Sequence, residues 1–362
     1  MKNWRRYLGI VSLLLAVVAV QQYASSTQQG FLLTPLTMSA YYALVVLGLC
    51  VLMGYAGQVS LGHAAFFAIG GYTSAALTTC NLSAFAKQPF LAVLTRWGVL
   101  LEGENIFLEK TLSVHPWAAA VIAILLAVSI ACILGGPILR LKGHYLAMAT
   151  LGFGMIVRTV VLAVECLGGA DGIADVPPFP LFAKFSINSD LSAKISNYYV
   201  AWIVVAAAML LLLNLIDSRA GRAMRAIHGA EEAAAAMGVN TSVYKLKALV
   251  VSAALAALAG VLMTHYNGGI GPSEAGVMKS IRYVAIVAVG GMANLAGALL
   301  AAVVLNYLSL RGTFGTYDDA VFGAVLIGVM IFAPDGLLRL GLFSRLKNVL
   351  PFLRPAKTEA SA

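Results

Sequence analysis

The chain has 362 residues, of which 60% are hydrophobic and 11% charged, with a mean hydropathy of +0.89 and a formal net charge of +9. A soluble domain cannot present that much apolar surface to water. The composition predicts an all-α, polytopic helix bundle in a lipid bilayer, multi-pass, with no nucleic-acid partner.

Apolar stretches and their breakers place ten spans, at about 7–24, 36–54, 59–79, 117–138, 144–165, 198–216, 247–266, 281–292, 294–310 and 319–333. The first follows Lys2, Arg5 and Arg6 and could be taken for a secretory leader. No clear Ala-x-Ala site follows it and further spans do, so a retained span is expected. Gln58, Ser60, Gly62 and His63 open the third span. Irregular backbone at membrane depth is tolerated only against protein or a water-filled path, so they are candidates to line a translocation route. The alternative is ordinary hydrogen bonding between helices.

Residues 80–116 form an outer-face insertion in which Lys87, Arg96, Glu102, Glu104, Glu109 and Lys110 are set among Phe90, Leu94, Trp97 and Leu100. It reads as an interfacial amphipathic element lying on the membrane. In the fifth span, Arg158 lies roughly 20 Å along its helix at about 1.5 Å per residue, with Glu165 on the same face. An intramembrane arginine is a functional candidate for the route, although snorkelling to the outer interface accounts for it equally well. The outer loop 165–197 carries the turn Gly168-Gly169-Ala170-Asp171-Gly172-Ile173-Ala174-Asp175-Val176-Pro177-Pro178, which cannot continue a helix. Asp171 and Asp175 could meet an external partner there, or be ordinary turn acids. Cys50, Cys80, Cys132 and Cys166 have no metal or redox spacing, and a Cys80–Cys166 disulfide stays open.

The polar island 217–247 follows, holding Asp217, Arg219, Arg222, Arg225, Glu231, Glu232, Lys245 and Lys247 around the alanine-rich run 231–238. Residues 281–310 would make a helix about 45 Å long if unbroken, which overshoots a bilayer. The Gly290–Gly297 stretch offers the break. With ten crossings, most Lys and Arg fall on the side of the island, of both termini and of the basic tail 334–362, which places that side in the cytoplasm. The whole chain, 1–362, reads as one permease domain.

No catalytic constellation and no metal site are visible. The chain lacks Gly-x4-Gly-Lys-[Ser/Thr], His-Glu-x-x-His and Gly-x-Ser-x-Gly, and has no acid-rich intramembrane cluster. Uphill transport would therefore draw its energy from another subunit.

The motif Glu232-Ala233-Ala234-x3-Gly238 is similar to the Glu-Ala-Ala-x3-Gly signature of bacterial ABC importer permeases. Alanines there give a thin helix face that a groove can approach, and the glycine permits the turn after it. Gly54-Tyr55-Ala56-Gly57-Gln58-Val59-Ser60-Leu61-Gly62-His63-Ala64-Ala65-Phe66 resembles a block of the branched-chain amino acid/urea ABC permease family. The stretch from Leu139 to Gly154 is similar to the block of its M-type (LivM-type) subunit, and Gly168–Ile173 and Pro334–Leu337 also fit.

The resemblance implies a fold similar to the ten-helix ribose and vitamin B12 permeases. It also implies a homologous H-type permease as heterodimer partner, a periplasmic amino-acid-binding protein, and two cytoplasmic ATPases that bind ATP and Mg, this chain holding no cofactor. It places the protein in the bacterial inner membrane, with Arg222, Arg225, Glu231, Glu232, Ala233, Ala234 and Gly238 as the ATPase-coupling set. The chain departs from the family at His228-Gly229-Ala230, at Met155 where a glutamate is common, and at Met292–Leu295. Branched-chain amino acids are the expected substrates, with urea or short amides next. An ATP-independent carrier and a membrane-embedded enzyme are the other classes weighed, and a homodimeric permease is the alternative pairing.

Overall fold

The computed structural model describes residues 4–332 except 28, 81–99, 105–109, 140, 142, 183–184, 189 and 191–192. Lys87, Arg96, Arg140, Lys142, the Pro334–Leu337 block and the tail 334–362 lie outside the described residues.

Twelve α-helices make up most of the described chain: α1 (Trp4–Ser26), α2 (Leu33–Cys50), α3 (His63–Thr79), α4 (Pro116–Ile138), α5 (His144–Ala163), α6 (Lys194–Asp217), α7 (Arg219–Gly229), α8 (Glu231–Ala236), α9 (Thr241–Asn267), α10 (Val277–Gly290), α11 (Leu295–Leu310) and α12 (Asp318–Phe332). Six stretches are long and apolar enough to cross a membrane, namely Gly9–Ser26, Gly30–Tyr55, Pro116–Ile138, His144–Ala163, Lys194–Asp217 and Thr241–Asn267. Each expected apolar segment coincides with a helix, and the anticipated break between α10 and α11 is present. Gly291 adopts φ 94°, and Asn294 caps α11 by accepting from the Gly297 amide at 3.1 Å.

The core sits around α2 and the turn that follows it, where every residue from Ala40 to Gly54 is buried, and around α9. Helices α3 and α9 pack through small residues, because only these let two backbones touch where apolar burial against lipid gives no driving force. A Cβ added at Gly260 of α9 would collide with the Phe67 carbonyl of α3. By contrast, α1 and α5 are peripheral, and α5 buries only Leu146, Thr150, Gly154 and Val161.

Two hairpins depart from the sequence expectations. Within the insertion expected as an interfacial amphipathic element, 80–116, residues 81–99 and 105–109 lie outside the described residues, and the remainder includes the antiparallel pair β1 (Leu100–Glu104) and β2 (Lys110–Val114). Short strands of mixed polarity share the composition of a surface helix, so polarity alone did not separate them. A second hairpin, β3 (Phe179–Phe182) and β4 (Phe185–Ile187), follows the Gly/Asp/Pro turn. All four cysteines are free, so no Cys80–Cys166 disulfide is present.

Candidate translocation core and coupling face

The chain between α2 and α3 is the main irregularity of the bundle. The end of α2 widens into a π-turn, Val51–Tyr55, a distortion that often marks functional sites. The turn is pinned to the α10–α11 connection: Cys50 Sγ donates to the Met292 carbonyl at 3.3 Å, and Tyr55 Oη donates to the Ala293 carbonyl at 2.9 Å. Gly54 lies against the Met292 carbonyl with no room for a Cβ. The connection from Met292 to Ala293 is thus the seat of this turn.

Residues 56–62 then run without regular structure into α3. Leu61 N donates to Thr150 Oγ1 at 3.0 Å and Ala64 N to Ser280 Oγ at 3.1 Å, so side chains of α5 and α10 satisfy backbone groups that the missing helix leaves open. His63, fully buried, has Nδ1 2.9 Å from Ser60 Oγ and Nε2 against Ser252 Oγ of α9. A neutral imidazole donates through one nitrogen and accepts through the other, so it bridges both hydroxyls. Ser252 lies about 16 Å along α9 from its first residue at about 1.5 Å per residue, well inside the bundle. Gln58 is 3% exposed, and neither its amide nitrogen nor its amide oxygen has a partner among the described residues.

A cavity of about 20 Å³ lies beside Gln58, Ser60, Gly62 and Thr150. Its remaining wall includes Leu52, Phe66, Leu134, Leu146, Phe153 and Leu249. The structure therefore brings Gln58, Ser60 and Gly62 together at the cavity, with His63 held to Ser60 beside it, while Arg158 stays apart on the exposed side of α5. Thr150 and Ser252 complete the polar set and were missed in the sequence, because a lone hydroxyl in an apolar span gives no periodic signal. A larger apolar groove of about 700 Å³ runs between α1, α6 and α11.

The polar island folds as two short helices. Helix α7 turns Gly221, Met224 and Ile227 inward and Arg222, Arg225 and His228 outward. Ser218 caps it by accepting from Gly221 N at 3.3 Å. Arg222 Nη1 donates to the Asp217 carbonyl at 3.1 Å and Arg225 Nη2 to the Ile216 carbonyl at 3.3 Å. These arginines thus close the C-terminal end of α6, a role the coupling assignment did not include.

Helix α8 buries Ala234 and exposes Glu232, Ala233, Ala235 and Ala236. Gly238, at φ 82°, ends it in the left-handed region, where glycine carries no Cβ penalty. Glu231 pairs with Lys245 of α9 at 2.6 Å, so it ties α8 to the bundle. Met237, beside it, is 85% exposed, an apolar side chain standing free on a charged surface. Spacing gave no sign of the Lys245 contact, since its partner lies on another helix.

The island meets the irregular segment directly. Gly57, at φ 69°, packs on α7 so closely that a Cβ there would come within 2.9 Å of His228 Nδ1. At the other end of the bundle, the loop that follows α5 is stitched to the end of α9. Ile173 and Ile270 exchange backbone bonds at 3.0 and 2.9 Å, His265 Nδ1 donates to the Pro177 carbonyl at 2.7 Å, and His265 Nε2 lies 2.9 Å from Ser74 Oγ. Asp171 and Asp175 are exposed on this loop, Asp175 at φ 57°. Among the described residues, no group of three or more His, Cys, Asp or Glu side chains is placed to hold a metal ion.

An apolar helix bundle with a polar discontinuity inside it and a charged helical loop packed against that discontinuity defines a membrane permease. The chain belongs to the family described as branched-chain amino acid transport system / permease component, which matches residues 31–333. It is 31% identical to the high-affinity branched-chain amino acid transport system permease protein LivM of Salmonella typhimurium, over 83% of this chain and 68% of that protein. It is 28% identical to LivH, described in the same words, of Escherichia coli (strain K12), over 88% of this chain and 97% of that protein. The ribose import permease protein RbsC of Haemophilus influenzae is 31% identical over 44% of this chain and 53% of its own length. No solved structure matches the chain significantly.

Proposed function

We propose that this chain is the M-type permease of an ATP-driven importer of branched-chain amino acids in the bacterial inner membrane. It pairs with an H-type permease, receives substrate from a periplasmic binding protein at the loop bearing Asp171 and Asp175, and contributes no catalytic group of its own. Two cytoplasmic ATPases, which bind ATP and Mg, dock on α7 and α8. Ten helices cross the bilayer, α7 and α8 lying in the cytoplasm together with both termini.

The observation that carries this reading is the exposed face of α8. Glu232, Ala233, Ala236 and Met237 form a small-residue platform with one apolar knob, suited to a groove on a partner. That face lies on the element whose neighbour, α7, touches Gly57 at the entrance to the Gln58–His63 segment. A rigid shift of α7 and α8 driven by ATPase closure therefore reaches the substrate route through one packed contact. The family blocks and the identity to LivM and LivH support the substrate class.

Met237→Asp tests the docking, because that side chain is 85% exposed and lies outside the core. Co-purification of the ATPases should fall at least tenfold and ATP-dependent leucine uptake with it, with the permease melting temperature unchanged. Wild-type uptake and co-purification in this variant would refute the assignment.

A further inference from the structure

The Gln58 amide presents a physical problem that the coupling reading does not use. A buried amide offers two N–H donors and a carbonyl acceptor, and leaving such groups unsatisfied forfeits their hydration with nothing in return. Gln58 is 3% exposed and its side chain finds no partner among the described residues, although Ser60, His63, Thr150 and Ser252 near it are all engaged. The cavity it lines has room for about one water molecule, at about 20 Å³. The rest of the lining is aliphatic and aromatic, through Leu52, Phe66, Leu134, Leu146, Phe153 and Leu249.

We propose that this cavity is the contracted form of a substrate subsite inside the chain's own helix bundle, for an amino acid with a branched aliphatic side chain. The proposal rests on the importer reading given above and adds the residues that read the solute. Gln58 meets the zwitterionic head: its N–H groups donate to the carboxylate, and its carbonyl accepts from the ammonium. A neutral amide serves both charges without placing a net charge in the membrane. The apolar wall takes the side chain, and a head lacking either charge would leave half of the amide unpaired.

The wall that opens is α5. It supplies Leu146, Thr150 and Phe153 to the cavity, yet it is peripheral and buries only four of its residues. The other walls come from α4 through Leu134 and Ile138, and from the π-turn, α3 and α9 through Leu52, Phe66 and Leu249, where the bundle is most deeply packed. A displacement of α5 away from Gly62 enlarges the cavity, with the Leu61 N to Thr150 Oγ1 bond as the contact that closes it again. The irregular backbone at 56–62 sits at the floor of this space and touches α7 through Gly57. Occupancy of the cavity and the position of the coupling helices are thereby linked by a single segment.

Gln58→Leu and Leu134→Phe test this in the complete complex of both permeases, ATPases and binding protein, reconstituted in proteoliposomes. Gln58→Leu keeps the volume and removes the unpaired amide, so the complex should assemble with an unchanged or higher melting temperature while leucine uptake falls at least tenfold. Leu134→Phe fills the side-chain space and should shift the ratio of leucine to valine import toward valine at least threefold. Leucine uptake at the wild-type rate in Gln58→Leu, with an unaltered ratio in Leu134→Phe, would mean that the cavity holds a structural water only, and the proposal fails. A loss of uptake accompanied by a lower melting temperature would make Gln58 a folding residue, and the proposal fails equally. Absence of ATP-driven branched-chain amino acid uptake in the wild-type complex would instead remove the importer reading itself.

Discussion

Lys245 lies almost wholly inside the protein, with its side chain 8% exposed, and it reaches Glu231 at 2.6 Å. The two ends of this pair are not equivalent. Neutralising the acid strands a buried ammonium, whereas removing the lysine frees a carboxylate that is 31% exposed and can be hydrated. Glu231→Gln is therefore expected to cost about 2 kcal/mol and Lys245→Met less, with the double variant recovering most of the loss. Thermal unfolding of the purified permease measures all three. A charge reversal at Glu231 would mix loss of fold with loss of docking, so the exposed Met237 is the cleaner probe of docking. That Glu231 is tied to the bundle was not legible in the sequence, because the contact depends on a lysine brought near only by the turn between α8 and α9.

Among the elements, the segment from the π-turn to α3 concentrates the functional geometry. Gly57 occupies the left-handed region and has no free space toward His228, so Gly57→Ala meets two separate obstacles. The backbone alone accounts for roughly 1–2 kcal/mol, and crowding against the imidazole adds to it. Pairing Gly57→Ala with His228→Ala should restore only the crowding part, measured as melting temperature and as ATP-driven uptake. Helices α3 and α9 carry a related constraint at Gly260, where a methyl group would meet the Phe67 carbonyl. Gly260→Ala should thus destabilise by about 1–3 kcal/mol, the range for overpacking a close contact. The apolar spans were readable in the sequence because length and hydropathy suffice for a helix in lipid. The irregular run 56–62 was readable only as a cluster of glycine and polar residues. The partners of this run and of the first turn of α3, Thr150, Ser252 and Ser280, come from three other helices and carry no local signal, and the strand pairs β1–β2 and β3–β4 were hidden for the same reason.

For the whole molecule, the coupling model requires that α8 and the Asp171 loop face opposite sides of the membrane. The chain offers a direct route to that question, because both sites are exposed and neither contributes to the core. Cys80, Cys132 and Cys166 are exposed and must first be replaced, whereas Cys50 is buried. In that background, Asp171→Cys should react with a membrane-impermeant maleimide in intact spheroplasts, and Met237→Cys should react only in inverted vesicles. The pattern follows from the basic residues gathered on the side of α7 and α8, since Arg219, Arg222, Arg225, Lys245 and Lys247 all lie near one end of the bundle. It also requires an even number of crossings between the two sites to be impossible: α6 alone separates them, and one helix of 24 residues, about 36 Å at the usual rise, spans a bilayer core once. Labelling of both cysteines from the same side would mean that α6 does not cross, and the path from ATPase to substrate through Gly57 would then lose its physical basis.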